Sequence, residues 1–129
     1  MTQSVAGVWL REGKVMLARR KSGGDMGGRW ELPGGKCEGS ESPMRALARE
    51  FQEELGLTIK VGAQCASAMF RHAGKDHNVL AFWVYPQGEM QFMAEHDEIR
   101  WFPLHELPGR QEIVDSDADL LYQIRALNR

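Results

Sequence analysis

The segment GKCEGSESPMRALAREFQEELGL, residues 35–57, combines a glycine turn, a helix start and a dense group of carboxylates. Ser42 is suited to cap a helix, and Pro43 to begin it, because the missing N–H of proline costs nothing in the first turn. The helical pattern ends at Gly56, which is suited to a left-handed C-terminal cap. The segment therefore predicts a helix over residues 43–55.

The predicted helix has an apolar stripe and an acidic stripe on opposite sides. At about 100° per residue, the apolar stripe contains Met44, Ala48, Phe51 and Leu55, and we expect it to face the core. The other side contains Glu50, Glu53 and Glu54, with Ala46 as the small residue between them.

The crowding of the three glutamates has two interpretations. A run of charges usually just faces water. However, like charges three or four residues apart cost a helix roughly 0.2–0.5 kcal/mol per pair, and Arg49 is the only nearby cation on this face. A hard divalent cation would neutralise the cluster, since Mg²⁺ takes carboxylate oxygens and shares its other positions with water and substrate phosphates. The cluster therefore favours a site that attracts phosphate through a metal ion.

The residues before the helix fit the same site. Gly34 and Gly35 allow the backbone to bend sharply and approach closely, and Glu41 lies just ahead of the helix, where it can turn toward the cluster. Taken alone, glycines in such a segment are more often simple turn residues.

The rest of the chain alternates strand and turn signals. The predicted elements are a hairpin over residues 4–20 with its turn at Glu12 and Gly13, an extended segment at 30–32, a hairpin over 57–85 with its turn in HAGKDHN, a strand at 99–102 and a closing helix at 117–127. This order predicts an α/β fold in which helices pack on the faces of a mixed sheet.

Composition narrows the class of protein. With 129 residues, 43% of them apolar, the chain predicts a single domain over residues 1–129 with its own core. A net charge of −2 gives no basic excess for gripping nucleic acid. The apolar run at residues 5–10 is too short for a membrane span or a signal peptide, so we expect a cytoplasmic protein. Cys37 and Cys65 lack metal or disulfide spacing and are interpreted as small apolar side chains.

The segment over residues 35–57 resembles the Nudix box, G-x5-E-x7-R-E-U-x-E-E-x-G-U, where U is bulky and apolar. Each fixed position is filled, by Gly35, Glu41, Arg49, Glu50, Phe51, Glu53, Glu54, Gly56 and Leu57. Phe51 stands where an aliphatic residue is more usual, and it faces the predicted core. Beyond the box, GGRWELPGGK, AFWVY and EHDEIRWFPLHELP are similar to MutT-like Nudix hydrolases.

This resemblance implies a fold, a reaction and a cofactor. The fold is an α/β/α sandwich around a mixed sheet, and the reaction is hydrolysis of a nucleoside diphosphate linked to another group, with Mg²⁺ or Mn²⁺ as cofactor. The implied metal ligands are Glu50, Glu53 and Glu54, and Glu53 is also a candidate for orienting or deprotonating the attacking water.

The resemblance also implies supporting residues at the metal site. Arg49 would hold the glutamates in place by ion pairs. Gly34, the backbone of Gly35, and Glu41 would lie at the metal. Glu95, six residues before Trp101, resembles an additional metal-binding or base glutamate.

Glu95 has an alternative interpretation as an ordinary loop carboxylate. Asp97 and Glu98 lie close by in the same AEHDE stretch and compete with it for the role.

Substrate contacts are implied outside the box. Arg20 is a candidate phosphate contact, although a strand-end arginine is commonly just exposed. The candidates for stacking on the base or reading its edge are Leu32, Phe70, Trp83 and Asp117. Asp117 has a second interpretation, as a carboxylate favoured by the dipole of the closing helix.

The type of substrate is indicated by what is missing. The chain lacks the SQPWPFPxS-like run of NADH-type members, and residues 72–74 replace the Pro or Tyr of ADP-ribose and dinucleoside-polyphosphate types. We therefore expect hydrolysis of a nucleoside triphosphate to the monophosphate and pyrophosphate, of the nucleotide-pool-cleaning or CTP type. Separately, we expect a monomer or homodimer whose partner is the nucleotide substrate, with no nucleic-acid or membrane partner. The alternatives are a nucleotide-sugar hydrolase, a non-catalytic nucleotide-binding module and a purely structural acidic helix.

Overall fold

Two β-sheets and two α-helices make up the fold in the computed structural model, which describes residues 2–128. The elements are, in chain order, β1 (Thr2–Val8), β2 (Leu10–Arg11), β3 (Lys14–Arg20), β4 (Trp30–Glu31), β5 (Gly34–Lys36), α1 (Pro43–Leu55), β6 (Ile59–His72), β7 (Lys75–Pro86), β8 (His96–Pro103) and α2 (Asp115–Leu127), with 3₁₀ turns at Leu104–Glu106 and Arg110–Glu112. None of the helices described is long and apolar enough to cross a membrane.

The larger sheet is mixed and has the strand order β5-β1-β7-β6. Its two inner strands, β1 and β7, run parallel, with Val5 opposite Leu80, whereas the outer pairs are antiparallel. The smaller sheet is antiparallel, with β3 pairing with β2, β4 and β8. The predicted α/β class with a mixed sheet is confirmed.

The first predicted hairpin is correct only in part. Its turn lies at Glu12 and Gly13 as predicted, and both residues have positive φ angles, but only Leu10–Arg11 pairs with β3. The preceding strand β1 instead lies between β5 and β7 in the mixed sheet. Because β1 pairs with a strand on each edge, it has no free edge for β3. The chain therefore passes from one sheet to the other around Trp9.

The two helices cover opposite faces of the mixed sheet. Strand β1 alternates, so that Val5 packs in the cluster of buried residues beneath α1, and Ala6 in the cluster beneath α2. Cys37 and Cys65 pack against these two clusters as partly buried side chains. This layering is the expected helix–sheet–helix sandwich.

Phe51, the unusual residue of the box, is fully buried against the sheet. A Cβ atom at Gly7 on β1 would lie 2.5 Å from its ring, so the ring occupies space that only glycine leaves open. Burial of an aromatic side chain of this size stabilises the fold by about 2–3 kcal/mol. Gly7 therefore explains how α1 carries a phenylalanine where a smaller residue is usual.

Helix α1 has its predicted ends. The Ser42 hydroxyl accepts a hydrogen bond from the Arg45 amide, and Gly56 adopts the left-handed conformation.

The predicted faces of α1 need two corrections. Met44 is predicted to face the core but is 46% exposed. Helical periodicity predicts which side of the helix faces the core, but it does not predict which turn of the helix is the first to be covered. Ala46 was assigned to the acidic side facing away from the core but is fully buried, as is its neighbour Leu47. The glutamate side of the helix is therefore partly covered by protein, and β5 is the strand that approaches it.

Candidate active site

A cleft of about 280 Å³ lies beside α1, between the mixed sheet and the start of α2. Most residues predicted at the site line it: Arg20, Leu32, Gly34, Gly35, Glu50, Glu53, Glu54, Phe70, Glu95 and Asp117. The carboxylates of α1 and most of the candidate base contacts thus lie in a single cavity, although Leu32 and Asp117 are 85 residues apart in the sequence.

The three glutamates of α1 differ in exposure. The Glu53 side chain is 59% exposed, that of Glu50 15% and that of Glu54 only 7%. Burial raises the pKa of Glu54 to about 10, and the neighbouring carboxylates of Glu50, Glu31 and Glu95 act in the same direction. Glu54 Oε2 is buried and has no hydrogen-bond partner among the residues described. The cluster thus holds a buried acceptor that needs a cation or a proton.

Gly35 on β5 forms the opposite wall of this cluster. A Cβ atom there would lie 2.5 Å from the carboxyl carbon of Glu50, and 2.7 Å from both of its oxygens. Any larger residue at this position would displace the Glu50 carboxylate. Glycine therefore allows the β5 backbone and the Glu50 carboxylate to lie side by side in the cleft. Gly34 precedes it, opposite Ala6 of β1.

Arg49 holds the acidic residues through four hydrogen bonds and donates a fifth to the Lys36 carbonyl. Its Nε and Nη2 atoms donate to the two oxygens of Glu41, at 2.8 and 3.0 Å. Its Nη1 atom donates to Glu50 and Glu53, both at 3.0 Å. These bonds raise the pKa of Arg49, with Glu41 as the largest cause, and the bond from Arg49 lowers the pKa of Glu41.

Glu41 was expected at the metal, but the structure places it on Arg49. Its side chain is outside the cleft, where it also accepts a hydrogen bond from the Glu38 amide. The position of Glu41 just ahead of the helix was compatible with a place at the metal and with a place on Arg49. The guanidinium bonds both oxygens of the carboxylate at once, which favours the place on Arg49. Glu41 therefore fixes the arginine that fixes the ligand candidates.

Among the three acidic residues of the AEHDE stretch, the structure places Glu95 in the cleft. Asp97 is bonded to Arg19 at 2.9 Å, and Glu98 pairs with Arg19 and Arg100. The loop before Glu95 is held on α1, since the Ala94 amide donates to the Glu54 carbonyl at 2.9 Å.

Three of the candidate base contacts, Leu32, Phe70 and Asp117, line the cleft. Asp117 is buried in the first turn of α2, and its Oδ2 atom accepts a hydrogen bond from the Leu32 amide at 2.9 Å. Burial raises the pKa of Asp117 to about 7, and the nearby charge of Glu31 adds to the effect. Phe70 lines the cleft and stacks on His77, with ring centroids 4.9 Å apart.

Trp83, another predicted base contact, lies elsewhere. It lines a separate cavity with Val8, Leu10 and Tyr85. Trp83 lies four residues beyond Val79 on the same strand, and Val79 does line the cleft. A strand of this length extends past the site, which the sequence pattern alone does not reveal.

Two ionisable residues at the site, Glu31 and His96, were not predicted. Glu31 lines the cleft and bonds both Arg20, through Oε1 at 3.3 Å, and His96, through Oε2 at 2.7 Å. His96 is buried, and its Nε2 atom is 4.0 Å from Glu54. Oxygen or nitrogen atoms of Glu31, Glu54 and His96 all lie within 4.8 Å of one another. The only sequence signal was a charged residue inside the apolar WEL segment and a histidine at the start of a strand.

The donor set fits a hard divalent cation. The side chains of Glu50, Glu53 and Glu54 offer only carboxylate oxygens, and among the residues described Glu54 Oε2 is buried without a hydrogen-bond partner. Strand β5 approaches these oxygens at Gly35, which has no side chain. Mg²⁺ and Mn²⁺ prefer such oxygen ligands.

Comparison with known proteins places these features in a family. The family model described as NUDIX domain matches residues 1–124. The CTP pyrophosphohydrolase of Escherichia coli is 38% identical over 102 residues, which are 78% of this chain and 75% of that protein. The 8-oxo-dGTP diphosphatase of Haemophilus influenzae is 29% identical over 126 residues, 95% of this chain and 90% of that protein. The solution structure of the E. coli ORF135 protein has a TM-score of 0.85 at 34% identity, covering 99% of this chain and 91% of that one.

Proposed function

The chain belongs to the Nudix family, and from this premise we propose that it hydrolyses a nucleoside triphosphate to a nucleoside monophosphate and pyrophosphate, with Mg²⁺ or Mn²⁺ as cofactor. One observation carries the proposal: the acidic cluster of α1 and the buried Asp117 line one and the same cleft. A nucleotide has complementary ends, since its phosphates suit a metal-bearing cluster and its base suits a polar group in an apolar surround. The relatives named for CTP and 8-oxo-dGTP favour a triphosphate.

Glu50, Glu53 and Glu54 would hold the cation, with the backbone of Gly35 beside them. A bound divalent ion neutralises charge on phosphoryl oxygens and makes water a stronger nucleophile near neutral pH. Glu53 is the most exposed of the three carboxylates, which suits it to orient the attacking water as well. Glu95, on the loop held by α1, is the second candidate for the base.

Two arginines have separate tasks in this proposal. Arg49 is occupied by Glu41, Glu50 and Glu53, so it keeps the carboxylates in position and is not free for substrate. Arg20 lines the cleft and is about half exposed, and among residues 2–128 its one carboxylate partner is Glu31, so its guanidinium can bond a phosphate oxygen.

At the base end, Phe70 would stack and Asp117 would bond the edge of the base. With a pKa of about 7, the Asp117 carboxyl can donate or accept a hydrogen bond near neutral pH. The ionised carboxylate can accept a hydrogen bond from an exocyclic amine, as in cytosine. The protonated carboxyl can share its proton with an oxidised purine such as 8-oxoguanine, so both bases are candidates.

The test is a panel of normal and oxidised nucleoside triphosphates, assayed with Mg²⁺ for monophosphate and pyrophosphate. We expect at least one triphosphate to yield both products, and Glu53→Gln to lower the rate by roughly a thousandfold. Glu89→Gln, an exposed glutamate outside the cleft, is the matched control and should leave the rate unchanged.

Other outcomes would point to the alternatives. Release of a sugar phosphate and a monophosphate from a nucleotide sugar, with no triphosphate turned over, would replace the proposal by a nucleotide-sugar hydrolase. Tight nucleotide binding without metal-dependent turnover would indicate a binding module. An active Glu53→Gln variant would contradict the assignment of the site.

A further inference from the structure

His96 is a fully buried polar residue that no part of the proposed reaction uses. Its Nε2 atom is 2.7 Å from Glu31 Oε2, and the other oxygen of Glu31 accepts from Arg20. An ionised carboxylate only accepts hydrogen bonds, so the imidazole is the donor in this contact. Its Nδ1 atom is buried with no partner among residues 2–128, and a proton there would be an unsatisfied donor. The proton therefore belongs on Nε2.

Glu31 in turn orients Arg20. The Glu31 side chain is 14% exposed and is bonded to the buried His96. The Arg20 side chain is 49% exposed and lies at the end of β3, where the register with β8 shifts. A long, exposed arginine samples many rotamers unless a fixed partner selects one. Glu31 is that partner, and its own position depends on the buried imidazole, because the carboxylate would otherwise be free to turn about its terminal bond.

We propose that His96 is a positioning residue, which donates Nε2–H to Glu31 and thereby keeps the Arg20 guanidinium directed into the cleft. The proposal rests on the proposed function in one respect, that Arg20 contacts a substrate phosphate. It assigns His96 an action through Glu31 and Arg20, and not as a ligand of the metal.

The test uses two substitutions of nearly equal shape. His96→Gln places an amide donor near the position of Nε2, whereas His96→Met fills similar space without a donor. We expect His96→Met to raise KM for the triphosphate by roughly tenfold, the usual effect of a lost hydrogen bond to a charged group, with a smaller change in kcat. His96→Gln should restore most of the loss. Thermal unfolding shows whether both variants fold.

Coupling to Arg20 separates positioning from a general structural effect. Arg20→Ala alone should also raise KM, and the double variant Arg20→Ala, His96→Met should be no worse than Arg20→Ala. Additive effects would overturn the proposal, as would equal KM values in the Gln and Met variants.

A second readout does not need turnover. In ¹⁵N NMR spectra of the wild-type protein, we expect the His96 ring to show the Nε2–H tautomer and the Arg20 Nε signal to move in His96→Met but not in His96→Gln. If this holds and no triphosphate is hydrolysed, the proposed function fails while the positioning contact stands. If Mn²⁺ affinity, measured by water proton relaxation, falls tenfold or more in both variants, His96 is a metal ligand and the proposal is wrong.

Discussion

Gly35 and Glu50 approach so closely that a Cβ atom on Gly35 would lie 2.5 Å from the carboxyl carbon of Glu50. We expect Gly35→Ala to fold, because Gly35 is not among the residues with a positive φ angle, but to displace the Glu50 carboxylate. Metal affinity should fall by about 10- to 100-fold, the range found when groups that position ligands are disturbed. Isothermal titration with Mn²⁺ measures this change.

The control for Gly35→Ala is Gly109→Ala. Gly109 does not line the cleft, and a Cβ atom there would meet a Glu112 carboxylate oxygen at 3.0 Å and otherwise only side-chain atoms at 3.9 Å or more. Equal metal affinity in the two variants would contradict the role given to Gly35.

Glu54→Gln should separate stability from metal binding. The wild-type carboxyl is buried beside Glu50 and Glu31, and its unpartnered oxygen makes the metal-free protein less stable. We expect the variant to unfold at a higher temperature than wild type in the presence of a chelator. We also expect Mg²⁺ to raise the unfolding temperature of the wild-type protein but not of the variant. A variant that is less stable than wild type without metal would show that the cluster is satisfied in another way.

Arg49→Lys should not be a conservative change. A lysine cannot bond both oxygens of Glu41 and also reach Glu50 and Glu53, because it lacks the planar fork of the guanidinium. We expect the free energy of unfolding to fall by about 2 kcal/mol, and the activity to fall with it. Urea denaturation measures the change, and Arg45→Lys, an exposed residue on the same helix, should be close to wild type.

Asp117 should make stability depend on pH. Its pKa is raised from 3.8 to about 7 in the folded protein, so between these values the unfolded chain loses a proton that the folded protein keeps. This contribution to the free energy of unfolding is therefore complete below pH 4 and is lost as the pH rises to 7, by about 1.4 kcal/mol per pH unit. Asp117→Asn keeps the acceptor for the Leu32 amide but cannot ionise.

The measurement is urea denaturation of both proteins, with chelator, at intervals from about pH 4 to pH 8. Other titrating groups, Glu54 among them, contribute to both curves, so the difference between the curves isolates Asp117. A difference that does not change with pH would show that Asp117 is ionised in the folded protein.

Much of α1 could be predicted from the sequence because its signals are local. The caps at Ser42 and Gly56 and the separation of Phe51 from Glu53 follow from dihedral preferences and helical period. The Nudix resemblance added the expectation that the carboxylates form one site.

The strands were harder to predict because their partners are distant. The bounds of β6 and β7 extend to a two-residue turn at Ala73 and Gly74, so much of the predicted loop is paired. The α2 helix begins at Asp115, two residues before the predicted start. The role of Glu31 depends on Arg20 and His96, which approach it only when β3, β4 and β8 assemble. The hydrophobic pattern of a single segment does not predict contacts between side chains of different strands.

The pairing of Val5 with Leu80 also bears on how the protein folds. Strand β1 precedes its parallel partner β7 in the chain, with α1 and the strands β2 to β6 between them, so this edge of β1 stays open until β7 has been synthesised. Contacts this distant in sequence slow folding, since a long loop must close before they form. We therefore expect refolding to be slow for a domain of this size, with β1 inserted late. Until that step Val5 is exposed, and nascent chains are then most prone to aggregate.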